Sequence, residues 1–163
     1  MNTKKLLALV AATLLTFGST GAALAATGNT TVSATVPSAL SITVPATRVL
    51  TVTMGSQTTT NLSVDVKSNA GWSMTAFKGS DLTTGAVSIP SSRLVYTSSS
   101  TNGTGVAVNT QFETSASPTN VVTGGTKTGE AGATVTVNYK LTVNYDDDPG
   151  TYSATHTYTA TAI

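Results

Sequence analysis

Few side chains in this 163-residue sequence are equipped for covalent or metal chemistry. His156 is the only histidine and there is no cysteine. A zinc or copper site draws on several nitrogen and sulfur ligands, so a lone imidazole does not make one. The densest charge is Asp146-Asp147-Asp148. Three carboxylates with nearby carbonyls suit Ca²⁺, a hard ion that takes six or more oxygens. These three are adjacent, however, rather than spaced as in an EF-hand loop, and the same residues are favoured in a solvated turn. Serine hydroxyls are plentiful, but no Gly-x-Ser-x-Gly elbow places one as a nucleophile. The expectation is therefore no catalytic residue, no cofactor and no metal. What remains is non-covalent binding, for which Trp72, Tyr96 and Tyr152 are the candidate side chains. Trp72 has two readings: a core anchor between sheets, or an exposed ring stacked on a glycan. It shares its parity with Met74 and Ala76, which favours the core. His156 lies on one face with Ala154 and Tyr158, as a half-buried structural histidine bonded to a neighbour would.

The elements that must position these residues read as strands throughout. From Thr134 to Tyr145 the residues alternate. Val135, Val137, Tyr139, Leu141, Val143 and Tyr145 take one face; Thr134, Thr136, Asn138, Lys140, Thr142 and Asn144 take the other. A period of two marks a strand with one buried and one wet face. After Asp146 to Gly150 the alternation resumes from Tyr152 to Ala162, which predicts a long antiparallel hairpin. Earlier, Thr31–Val36, Leu40–Val44 and Val49–Met54 alternate, with Pro37 and Pro45 at borders that suit edge strands. Leu62, Val64 and Val66 form the inner row of a further strand, and Trp72, Met74 and Ala76 that of the next. Arg93–Thr97 is a strand, Ser98–Gly105 reads as a linker, and Val106, Val108 and Phe112 make a weak strand. Val121 and Val122 are a brief apolar island in a polar stretch. Eight to ten short strands without a helical period predict an all-β fold, a single-domain antiparallel β-sandwich of immunoglobulin-like type.

Residues 1–25 have the anatomy of an export leader: Lys4 and Lys5, an apolar run from Leu6 to Phe17, then Ala23-Leu24-Ala25. The run is too short for a permanent span, which needs about 20 residues. The expected mature chain, 26–163, is then a secreted, extracellular domain. Removing Lys4 and Lys5 from eight basic residues leaves six against seven acidic ones, a formal charge of −1. So nearly neutral a surface gives no electrostatic case for nucleic acid or anionic membrane. Charged residues are 9% of the chain, against roughly 25% in ordinary globular proteins; Thr, Ser and Asn supply the polarity instead. Without cysteine there is neither a disulfide framework nor an attachment point for a lipid anchor, and no sortase-type signal follows the last strand. Attachment to a cell is expected to be non-covalent or through a partner.

Two stretches resemble a known family. Gly71-Trp72-Ser73-Met74-Thr75-Ala76, a loop with Asp81-Leu82, and Ile89-Pro90-Ser91-Ser92-Arg93-Leu94-Val95-Tyr96 look like the first half of the WxL domain of Gram-positive surface proteins. The segment from Gly150 to Ala160 is similar to that family's second motif. Met74 stands at the namesake leucine, Tyr158 at the second-motif tryptophan, and His156 where an aliphatic residue is usual. The resemblance implies a non-catalytic domain that associates with the cell wall, its peptidoglycan, or with other surface proteins, through Trp72, Tyr96 and Tyr152. Separately, Thr31–Val36 resembles the mature start of spore-coat-U-like fimbrial subunits, although those carry cysteines. That resemblance implies a pilus or coat subunit that self-associates by β-strand addition.

Overall fold

Strict alternation over Ala133–Thr142 builds the strand on which the sandwich is centred. The structure, a computed structural model, describes residues 27–163; the expected leader lies outside them. The described residues fall into two units, 27–35 and Val36–Ile163. The second is an all-β sandwich of eleven strands: β1 (Leu40–Thr43), β2 (Gln57–Ser68), β3 (Trp72–Lys78), β4 (Leu82–Thr84), β5 (Val87–Ile89), β6 (Leu94–Ser100), β7 (Thr104–Gly105), β8 (Thr110–Gln111), β9 (Thr119–Gly125), β10 (Ala133–Thr142) and β11 (His156–Ala162). One sheet runs β1-β2-β10-β6-β8, the other β11-β3-β9-β7, and β4-β5 is a small separate hairpin. Every pairing is antiparallel.

The inward rows are those the alternation predicts. Leu62, Val64 and Val66 of β2 stand beside Val137, Val135 and Ala133 of β10, all buried. They face Trp72, Met74 and Ala76 of β3, which are fully buried. In β9, Val121 and Val122 are both buried although adjacent. A register break between β3 and β9 around Met74 is responsible, because a bulge turns two successive residues the same way. That break also hid β9 from the period-two reading.

Four expectations are corrected. The terminal strands are not a hairpin: β10 lies between β2 and β6, whereas β11 pairs with β3 in the other sheet. Tyr139 and Tyr158 both belong to buried rows, and opposing sheets let their hydroxyls meet across the core at 2.6 Å. Residues 143–155 therefore cross between sheets, and Tyr145 leaves the buried row, 85% exposed. Second, Thr31–Val36 forms no strand; it has the pattern but no ladder partner among the described residues. Third, Val49–Met54 is not a strand either, and only Leu50 of that stretch reaches the core. Fourth, Ser98–Ser100 is not linker but the end of β6. The Ser98 hydroxyl donates to the Val121 carbonyl at 2.6 Å and accepts from the Val106 amide at 2.9 Å, tying β6 to the opposite sheet. The backbone at Gly105 comes so close to Ser98 and Ser99 that any Cβ there would overlap them.

Candidate functional site

Two of the three sequence-derived binding residues are inside the sandwich. Trp72 is fully buried; its indole N–H donates to the Thr126 carbonyl at 3.0 Å, and its ring lies so tightly on Gly125 that a Cβ there would overlap it. Tyr96 is also fully buried, with its hydroxyl 2.6 Å from the Asn120 carbonyl and 3.0 Å from Thr119 Oγ1. Neither ring is on a face that a polymer could touch, which corrects the expectation that they serve as wall-binding residues; for Trp72 it is the core position that its parity favoured. Tyr152 is half-buried; its hydroxyl donates to the Asp148 carbonyl at 2.9 Å and its ring packs against the core edge. The three candidates do not converge on one surface.

His156 is where the sequence suggests, half-buried at the start of β11. Its ring stacks on Phe112 with centroids 4.0 Å apart, and Nδ1 lies 3.1 Å from the Tyr139 hydroxyl. Phe112 also stacks on Tyr96 at 4.4 Å and Tyr139 at 5.4 Å, and Tyr158 meets it edge-on. Burial, reinforced by the neighbouring Lys78 charge, pushes the imidazole pKa down to about 4. Burial likewise drives the Tyr139 hydroxyl up to about 12, and Tyr158 upward too. At neutral pH these are uncharged groups joined by hydrogen bonds through the Tyr139 hydroxyl. No buried side-chain nitrogen or oxygen lacks a partner among the described residues. A neutral imidazole bonded to a tyrosine and packed on phenylalanine adds cohesion to this part of the core.

The acidic triplet divides by role. Asp147 accepts two hydrogen bonds from Arg93, at 2.6 and 2.8 Å, and a third from the Asn144 amide at 2.8 Å. These donors, Arg93 first, hold its carboxyl below the usual carboxylate range. Asp146 and Asp148 are exposed. A Ca²⁺ ion using all three would have to displace the guanidinium, and no group of three or more His, Cys, Asp or Glu among the described residues is placed to hold a metal. The brace instead shapes a loop. Gly55, with φ of 73°, donates its amide to the Val143 carbonyl at 3.1 Å, and Tyr145 stands beside it with its ring in solvent. Met54, 41% exposed, belongs to the same end of the sandwich. Sequence parity placed Tyr145 inward; only the turn residues that follow it, Asp146 to Gly150, hinted that the row ends there.

The second unusual feature precedes the first strand in sequence. The chain at Thr31–Val36 carries Val32 at 88% and Val36 at 79% exposure, a strand pattern with no strand to join among the described residues. Residues Pro37 to Ala39 are tied down by Asn69, whose amide donates to the Pro37 carbonyl and whose carbonyl accepts from the Ala39 amide. No helix among the described residues is long and apolar enough to cross a membrane. No protein-family model matches this chain, and comparison with the curated proteins gives no match.

Proposed function

We propose that this is a non-enzymatic, exported cell-surface protein that assembles with other copies by β-strand addition, Thr31–Val36 acting as the donor. The observation that carries this reading is the exposure of Val32 and Val36 in an alternating stretch without a ladder. A strand-forming sequence with free amides and carbonyls and an apolar row is a template for pairing with another chain. Export rests on the leader pattern of residues 1–25. The near-neutral mature charge places no strong repulsion between copies. The spore-coat-U-like resemblance of the same stretch agrees with it.

A second reading, the WxL-like one, is favoured by Tyr145. In this reading the domain associates non-covalently with wall polymer through the braced end of the sandwich. An exposed ring on a loop fixed by Arg93 and Asp147 offers a sugar ring a flat apolar face at little entropic cost. The burial of Trp72 and Tyr96 removes the rings that the resemblance would use, so this reading rests on a different residue. Sedimentation of the mature protein with and without isolated Gram-positive cell wall separates the two. Pelleting in both tubes is the expected outcome and supports self-assembly. Pelleting only with wall, lost in Tyr145→Ala, would support the wall-binding reading and overturn assembly.

A further inference from the structure

The acceptor for an added strand can be located from the ladder of the larger sheet. β2 has twelve residues, and β10 pairs with ten of them, Gln57 to Val66. On its other side β1 pairs only with Asp65 to Ser68. Gln57 to Val64 therefore form an eight-residue edge with no ladder partner on that side. It is not bare. Thr43 is opposite Asp65, and continuing that antiparallel register would set Arg48 opposite Thr60 and Leu50 opposite Thr58. Arg48 Nε does donate to Thr60 Oγ1, at 3.0 Å, and Leu50 does reach the core. Residues 44–53 thus follow the course of a strand beside β2 without making its backbone bonds.

The residues explain the failure. Pro45 has no amide to give to a ladder. The inward parity of Leu40 and Ile42 continues through Val44, Ala46 and Arg48, so a guanidinium would face the core next to Thr60. This strap is held by one exposed side-chain hydrogen bond and one half-buried leucine. Its other apolar side chains remain in solvent: Val49 is 78% exposed, Val52 42% and Val44 36%.

We infer that the Gln57–Val64 edge of β2 accepts the Thr31–Val36 segment of a second copy, which displaces the 44–53 strap. The donor supplies what the strap lacks: an unbroken run of amides and an inward row of Val32, Ala34 and Val36 with no charge. Six donor residues fit within the eight-residue edge. Alternate donor residues gain ladder bonds on a strand whose own side chains, Thr58, Thr60, Leu62 and Val64, already point to the core. This inference rests on the strand-addition reading, and names its acceptor.

The absence of cysteine lets single introduced thiols report the contact. Mature Ser33→Cys and Ser63→Cys proteins are mixed and joined with a short thiol-reactive bifunctional reagent. Ser33→Cys with Thr159→Cys, on the free edge of the other sheet, is the control. We expect heterodimers in the first mixture well above the second. A double variant, Arg48→Cys with Thr60→Cys, pins the strap when oxidised. Its sedimentation should show loss of self-association in the oxidised form and recovery after reduction, with circular dichroism unchanged. Preferential linkage to Thr159→Cys, or full assembly with the strap pinned, overturns the β2 acceptor while strand addition stands. A wild-type mature protein that stays monomeric overturns strand addition and this inference together.

Discussion

The imidazole of His156 makes the sharpest prediction at the scale of single residues. Its pKa falls from 6.5 in the unfolded chain to about 4 in the fold, chiefly by burial. The unfolded state therefore binds the extra proton first as pH falls. The stability this group contributes is complete above pH 6.5 and is lost progressively down to pH 4, on the order of 3 kcal/mol in total. Urea midpoints at pH 7 and pH 4.5 should differ measurably, and His156→Gln should flatten that difference. A slope as steep in the variant would locate the acid sensitivity elsewhere. Asp147 and Asp81, held below the usual carboxylate range by Arg93 and Lys78, act in a lower window. Their contribution is present above the ordinary carboxylate pKa and lost as pH falls below it. Trp72 and Tyr145 should part company in a different measurement. Trp72→Ala empties a sealed site and should cost about 3–5 kcal/mol. Tyr145→Ala, at 85% exposure, should leave the thermal midpoint nearly unchanged. A large drop for Tyr145→Ala would mean that its ring packs in solution.

At the scale of elements, the sequence disclosed what faces inward better than what pairs with what. β2, β3 and β10 were legible because a period of two survives along each. β10 and β11 show the same pattern, and nothing in a pattern says that the second strand joins the opposite sheet. That choice is made by the crossing at 143–155, by the Arg93–Asp147 brace, and by the meeting of Tyr139 with Tyr158. β9 was invisible because its bulge breaks the period, and Ser98 was misread because a serine inside a strand looks like linker chemistry. At the candidate site parity favoured a buried Trp72, as found, whereas the burial of Tyr96 depends on neighbours that close over it and that no pattern announced. Ser98→Ala tests the importance of one such cross-sheet tie. It leaves the Val106 amide and Val121 carbonyl short of a partner and should destabilise the fold by about 1–3 kcal/mol, read from the urea midpoint. An unchanged midpoint would mean that water enters to replace the hydroxyl. Loosening the brace by Asp147→Asn should instead speed hydrogen exchange at the Asn144 and Asp147 amides, with β10 protected as before.

At the scale of the whole molecule, folding and assembly should be separable, because different residues serve them. Among the described residues, the buried cluster begins with side chains of β1 and β2 and includes nothing before Leu40. Residues 27–36 are exposed, and Pro37, whose carbonyl takes the Asn69 amide, is best retained. A mature chain lacking 26–36 should unfold at nearly the same temperature as the full mature chain. Analytical ultracentrifugation should then find it monomeric where the longer chain associates. The strap would keep its place over β2 in such a monomer, since no donor competes for that edge, and Arg48 would stay beside Thr60. If the shortened chain still assembles, the joining surface lies within Val36–Ile163, and the exposed valines of the strap itself become the residues to change. If it fails to fold, residues 26–36 contribute to the sandwich in a way that their exposure does not suggest, and the strand pattern of Thr31–Val36 would belong to the protein's own sheet.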